Sequence, residues 1–175
     1  MQIRLTGVTA AALGAGSLFP GVAGAQTLDL SITVPTLRVA EYHRPYVAVW
    51  LEKAGVTPRT IAVWYDFDMR NNEGTKWLRD VRQWWRASGR TMSFPADGVT
   101  SATRLPGTHR LSFVGGRGSM PVLTPGAYTL VVEAARESGG RELVRVPFNW
   151  NGSTAARATV SGTSELGAIT LNIKR

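Results

Sequence analysis

The sequence predicts an all-β protein, an antiparallel β-sandwich with one amphipathic helix inserted at about residues 75–88. Three observations carry this. About seven short runs have strand patterning, turn residues separate them, and a single segment changes from a period of two to helical spacing. The chain has 175 residues, a length that fits one domain with a real core.

The first strand is expected in TLDLSITV, where Leu28, Leu30, Ile32 and Val34 alternate with Thr27, Asp29, Ser31 and Thr33. Strict alternation marks a half-buried strand. YVAVWLE at 46–52 and RTIAVWYDF at 59–67 are more continuous apolar runs, rich in β-branched and aromatic residues. They share "AVW" and are close enough to pair as antiparallel neighbours. The segment TKWLRDVRQWWRAS then places Leu78, Val81, Trp84 and Trp85 at offsets of one, four, seven and eight from Trp77. That is a helical stripe, with Arg79, Arg82 and Arg86 on the opposite side and Gly89 as a stop. A helix inserted here is expected to pack across a face or an open end of the sandwich. HRLSFVG, AYTLVVEAARE, RELVRVPFNW and LGAITLNIKR supply four more strands, the middle two pairing across Ser138-Gly139-Gly140. NGSTAARATVSGTSE between the last two is small and polar, and reads as loop.

The N-terminus belongs to a different class. MQIRLTGVTAAALGAGSLFPGVAGA has an early arginine, an apolar small-residue stretch and Ala23-Gly24-Ala25. This is the layout of a secretory signal peptide cut after Ala25. Glycines, Ser17 and Pro20 interrupt the apolar run well short of the ~20 residues a membrane-spanning helix needs. The expectation is therefore residues 1–25 as signal and residues 26–175 as one exported, periplasmic β-sandwich domain. There is no cysteine, so the fold must form without disulfides.

Twenty Lys and Arg against twelve Asp and Glu give a net charge of +8. That balance suits a solvated basic surface, an anionic membrane surface or an anionic ligand. Nucleic acid is disfavoured by export and by the lack of a Lys/Arg block. His43 and His109 stand apart with no metal-ligand spacing, and the Asp66/Asp68 pair has neither the glycine nor the terminal glutamate of a calcium loop. No G-x-S-x-G and no phosphate-binding glycine loop before a helix is present, so a hydrolase or metal enzyme has little support. Six tryptophans remain, three of them in the helical segment. Trp84 and Trp85 are adjacent and point about 100° apart on a helix, so both cannot face one core equally. One is expected beside Arg82 or Arg86, where a flat ring and a cation seat a planar anionic ligand.

The segment DGVTSATR at 97–104 holds small and hydroxyl residues on an expected loop. An acceptor of a phosphoryl-linked group needs an exposed hydroxyl with small neighbours, which Ser101 and Ala102 provide, and Arg104 can balance a phosphodiester. The plain alternative is a polar surface loop.

DGVTSATR resembles the acceptor motif of proteins that carry covalent FMN, transferred from FAD by a periplasmic flavin transferase. The resemblance implies Thr103 as the attachment site and Asp97, Thr100 and Ala102 as recognition positions, with Ser101 where glycine is usual. Trp84, Trp85 and Arg104 are then the expected flavin contacts. VAEYHRPYVAVWLE, IAVWY, WLRDVRQWWR, TPGAYTLVVEAARE and ELGAITL together resemble the predicted periplasmic family "domain of unknown function 2271". That resemblance implies an accessory role in extracytosolic electron transfer, linked to a PepSY-type membrane reductase or to iron acquisition. Residues 106–148 also resemble the Ig-like part of flagellar hook-capping proteins, which implies an Ig-like sandwich and no flagellar role. The alternative function is a non-enzymatic Ig-like module that binds a periplasmic protein or a small anionic ligand.

Overall fold

The computed structural model describes residues 26–174; the signal-peptide reading of residues 1–25 lies outside them. Two sheets form the sandwich. The first contains β1 (Thr27–Val34), β5 (Gly107–Val114), β8 (Ala156–Ser161) and β9 (Ala168–Lys174) in the order β5-β1-β9-β8. The second contains β2 (Tyr46–Lys53), β3 (Val56–Trp64), β4 (Thr100–Ser101), β6 (Gly126–Ala135) and β7 (Arg141–Trp150) in the order β4-β3-β2-β6-β7. All pairs are antiparallel except β3 with the two-residue β4, which run parallel.

The alternation in β1 does what its pattern requires. Leu28, Leu30, Ile32 and Val34 are buried while the residues between them are half-buried. They meet Val47, Val49 and Leu51 from β2, Leu130 and Val132 from β6 and Ile169, Leu171 and Ile173 from β9 in the inter-sheet core. The two "AVW" runs are antiparallel neighbours, with Val47 opposite Trp64 and Ala48 opposite Val63. Between them lies a bulge. Val49 pairs with Ala62 and Trp50 with Thr60, leaving Ile61 as the extra residue. The Ile61 carbonyl freed by this accepts from Ser119 Oγ at 2.7 Å. The bulge changes the facing of β3, so that Ile61, Ala62 and Trp64 join the inter-sheet core while Val63 and Tyr65 join a second core on the outer face.

That second core lies under the excursion from residue 65 to residue 99. The expected helix over 75–88 is instead a 3-10 segment, Arg70–Asp80, followed by the six-residue α1, Arg82–Ala87. Asn71 and Asn72 sit at φ 54 and 55, and Val81 at φ −78, ψ 72 separates the two pieces. The left-handed pair is tolerated because asparagine accepts such angles better than most residues. Leu78, Val81 and Trp84 still reach the sheet, packing on Tyr46, Ala48, Trp50, Val63 and Val131. Glu133 of β6 rises fully buried beneath α1 and accepts the backbone N–H groups of Gln83 at 3.1 Å and Trp84 at 2.8 Å. The sheet itself thus caps the free amides that open the helix.

A second correction concerns NGSTAARATVSGTSE, read as loop. Ala156–Ser161 within it form β8, an edge strand paired with β9 and without a single buried position. Only Ala158 and Val160 pack against the core, and only partly, so the apolar period of this edge strand is faint.

Glu142 at the start of β7 ties down the turn before β9. Its carboxylate accepts from Thr163 N at 2.6 Å, Thr163 Oγ1 at 3.0 Å, Ser164 N at 3.0 Å and Leu166 N at 2.8 Å. Burial works to raise its pKa, and these hydrogen bonds outweigh burial and hold it down at about 2, against a usual 4.5. A depressed carboxylate stabilises fully above its unfolded pKa, and the benefit fades as pH falls from about 4.5 toward 2. The wild type is expected to lose about 2 kcal/mol between pH 6 and pH 2.5 that Glu142→Gln does not lose, after allowance for solvent screening. Parallel urea titrations of both proteins across that range check it; equal losses would remove Glu142 from the account.

Candidate functional site

A cavity of about 370 Å³ opens on the outer face of the second sheet, between the end of β3, the approach to β2 and the turn after β6. Its wall includes Thr103. Residues 102–104 follow β4 without regular secondary structure. Thr103 turns toward the cavity and Arg104 turns away from it, lining a different recess with Trp64 and His109.

The exposed hydroxyl expected from the sequence is not found: Thr103 is only 6 % exposed, held inward by its bond to Asp66. Its Oγ1 donates to Asp66 Oδ1 at 2.8 Å. Asp66 follows β3 directly, and its position is set by a close approach of the 3-10 segment. A Cβ on Gly74 would stand 2.0 Å from the Asp66 carbonyl oxygen and 3.3 Å from Tyr46 Oη. Only glycine permits that contact, because the obstacle is backbone and cannot rotate aside.

Two phenols complete the polar lining. Tyr46 is 7 % exposed, and its hydroxyl and that of Tyr42 are buried without a hydrogen-bond partner. Burial first, then the nearby charge of Asp66, pushes the Tyr46 pKa up to about 12, and burial likewise raises that of Tyr42. Both therefore stay protonated. Buried hydroxyls without a partner are uncommon in folded proteins, and these two lie behind the wall of the cavity with almost no accessible surface. Trp77, 44 % exposed, gives the cavity an aromatic wall; Arg44 and Arg136 line it together with Asp66, Asp80 and Glu137, and Arg136 is itself paired with Glu165. His43 lies between Glu41 at 3.1 Å and Glu137 at 3.6 Å on the same rim.

The residues expected from sequence are only partly gathered here. Thr103 is at the cavity. Thr100 lies in β4, where its Oγ1 accepts from Ala96 N at 2.9 Å and pins the preceding turn. Asp97 and Ala102 are exposed on either side of that strand. Ser101 is paired with Trp64, and its carbonyl accepts from Tyr65 N at 3.0 Å. The non-glycine residues with positive φ are Asn71, Asn72 and Ser138 among those described, so position 101 does not need a glycine-only conformation.

Trp84 does not contact any flavin seat. It is fully buried, with its Nε1 donating to Thr60 Oγ1 at 2.9 Å. Trp85 is half-buried and meets Trp84 edge-on at 6.1 Å. Neither lines the Thr103 cavity, because Val81 breaks the helical phase and sends Trp77 there instead. Arg104 cannot balance a charge on Thr103, since it faces the opposite recess. The residues missed by sequence reasoning are Tyr42, Arg44 and Tyr46 from EYHRPYVAVW, Asp66 and Trp77. Their signal was the cluster of aromatic and basic residues just ahead of β2.

Among the described residues, no group of three or more His, Cys, Asp or Glu side chains is placed to hold a metal ion, and no helix is long and apolar enough to cross a membrane. No curated protein and no solved structure matches the chain. One family model does match, over residues 27–168, which takes in both sheets, the excursion and the Thr103 cavity. The chain belongs to that family, described as predicted periplasmic protein (DUF2271).

Proposed function

We propose that this periplasmic chain is an accessory of extracytosolic electron transfer that carries FMN as a phosphodiester on Thr103. The observation that supports the reading best is the placement of the Thr103 hydroxyl at a cavity, bonded to Asp66. In the attachment step the bond from Thr103 Oγ1 to phosphorus forms, the phosphoanhydride of FAD breaks and AMP leaves. The hydroxyl proton passes to a base of the transferase, since lifting the segment parts Thr103 from Asp66. A volume of about 370 Å³ is within the range of small-ligand sites.

The bound flavin would supply electron-transfer chemistry that no side chain of this protein has. The chain's own part is to seat and shield it. Trp77 offers a flat face and Arg44 offers charge. Thr103 is buried, so the transferase must reach it with the 97–104 segment lifted. β4 is two residues long and pairs only with β3, so little structure has to open. A PepSY-type membrane reductase is the electron donor this reading calls for.

Co-expression with a flavin transferase and export is expected to give a yellow protein one FMN heavier by intact mass. Thr103→Ala is expected to keep the unmodified mass. A wild-type mass unchanged under those conditions, or an adduct that survives Thr103→Ala, overturns the proposal. The burial of Thr103 favours a second reading, in which the same cavity holds a small anionic ligand without a covalent bond. Flavin that co-purifies with the protein and is released by denaturation would favour that reading over attachment.

A further inference from the structure

The excursion between β3 and β4 carries a row of arginines that neither the cores nor the Thr103 cavity uses. From residue 79 to residue 96 it holds Arg79, Arg82, Arg86 and Arg90 against one acid, Asp80, a surplus of three positive charges. All four arginines are exposed. None of them forms an ion pair among the described residues.

The anchor beneath them sets their direction. Successive residues of α1 turn by about 100°, so Arg82 and Arg86 project on the side opposite the fully buried Trp84. Trp84 points into the outer core, and the two guanidinium groups therefore stand away from the sheet. Arg79 lies in the last turn of the 3-10 segment before α1, and Arg90 lies in the short turn Gly89–Thr91 after it.

Helix stability does not explain this placement. Arg82 and Arg86 are four residues apart on one face, the spacing at which like charges repel. Arg82 also opens a helix with no acid in its own first turn, against the preference of a helix N-terminus for negative charge. The anion below, Glu133, is already taken by the Gln83 and Trp84 amides and by Arg141 at 3.5 Å. The row thus keeps its charge for something outside the chain.

The outward side of a helix laid on a sheet offers an extended peptide neither a free strand edge nor a cleft. A partner that is itself flat and carries many anions can meet all four arginines at once. Trp77, 44 % exposed, borders one open recess with Arg82, Arg141, Asp80 and Glu137, so an amphipathic ring lies beside the cations. Tryptophan and arginine together suit the headgroup region of a bilayer, where one part of the ring is apolar and the guanidinium meets phosphate.

We propose that this face docks on an anionic phospholipid bilayer, with Arg79, Arg82, Arg86 and Arg90 against the headgroup phosphates and Trp77 beside them. The docking is peripheral and electrostatic, and it stands whether or not Thr103 carries a flavin. It would hold a periplasmic chain at the membrane surface in one orientation, excursion first.

Sedimentation with sucrose-loaded vesicles tests it, using the exported protein without flavin. Vesicles of one part phosphatidylglycerol to three parts phosphatidylcholine are compared with phosphatidylcholine alone. Binding is expected to the anionic vesicles at low salt, and to be largely lost at about 0.5 M salt, where charges are screened within a few ångströms. Arg82→Gln/Arg86→Gln is expected to bind about twenty-five-fold more weakly, at about fivefold per cation. Arg82→Lys/Arg86→Lys is expected to stay within about threefold of the wild type, because a bilayer reads the charge and not the guanidinium fork. Arg110→Gln/Arg157→Gln lowers the net charge equally on exposed positions of the other sheet, and is expected to leave binding within about twofold. Urea midpoints confirm that each double variant is folded. Equal weakening in the two glutamine variants would mean that net charge alone attracts the protein, and overturns the docking face. Equal binding to neutral and anionic vesicles, or binding to neither, overturns it as well. Tighter binding to soluble polyglutamate than to anionic vesicles at equal anion concentration overturns it in favour of an acidic protein partner.

Discussion

Replacing Trp84 with alanine is expected to lower stability by about 4 kcal/mol, the range for removing a fully buried tryptophan. The ring sits at the centre of the outer core, edge-on to Phe94 at 5.8 Å and Trp85 at 6.1 Å, directly over Gly89. A Cβ on Gly89 would come within 2.9 Å of the indole, so no neighbour can move in to refill the space without a shift of backbone. The change also deletes the Nε1 hydrogen bond to Thr60, although Thr60 keeps Ser88 Oγ at 2.7 Å. Trp84→Phe should therefore cost much less, about 1 kcal/mol for one hydrogen bond plus a partial void. Trp77→Ala is the informative contrast. Its ring is 44 % exposed, and a surface change of this kind falls within about 0.5 kcal/mol of neutral. Chemical denaturation of the three variants, with flavin loading measured alongside, separates packing from function. On the proposed reading, loading falls in Trp77→Ala at unchanged stability. A Trp84→Ala protein as stable as the wild type would mean that the excursion does not depend on this anchor.

The contrast between these tryptophans shows what the sequence made legible. The stripe of Leu78, Val81 and Trp84 predicted packing onto the sheet, and those residues do pack there. Extending one ideal helix back to Trp77 placed that ring in the core, and this failed. Glu73-Gly74 could only fit under Asp66 by a tight 3-10 path, a constraint set by a distant strand end. β1 was legible because one of its faces is buried and the other is not. β3 was legible as a strand but not in its facing, because every residue of Ile61–Tyr65 is apolar or aromatic and a bulge leaves no trace in such a run. The motif around Thr103 marked a hydroxyl that lines the cavity, yet the Asp66 and Tyr46 that share this cavity come from distant parts of the chain. Arg104 was assigned to the same site as Thr103 by adjacency, and the fold turns the two side chains into different recesses.

Arg136 and Glu165 carry the second large effect. Their side chains are 6 % and 5 % exposed, and the guanidinium grips the carboxylate through Nε at 2.9 Å and Nη2 at 3.0 Å. Glu165 also accepts the Gly140 N–H at 2.8 Å, so the pair joins the β6–β7 turn to the loop before β9. Both glycines of that turn are required by the pair itself. A Cβ on Gly139 would lie 2.4 Å from the guanidinium carbon, and one on Gly140 2.5 Å from the carboxylate. Removing either partner strands a buried charge, and Arg136→Met or Glu165→Leu alone is expected to cost about 3–5 kcal/mol. Replacing both removes the charges together and leaves chiefly the Gly140 N–H without an acceptor, a cost of about 1–3 kcal/mol. The double variant should therefore be more stable than either single one, although it contains both changes. Urea midpoints of the four proteins test this, and costs that simply add within about 0.5 kcal/mol would show that the two groups are not coupled. Because Arg136 also lines the Thr103 cavity, the folded double variant changes that wall with no change of net charge while the scaffold stands. On the proposed reading, weaker flavin loading in that protein would report the shape of the cavity wall and not the loss of the fold.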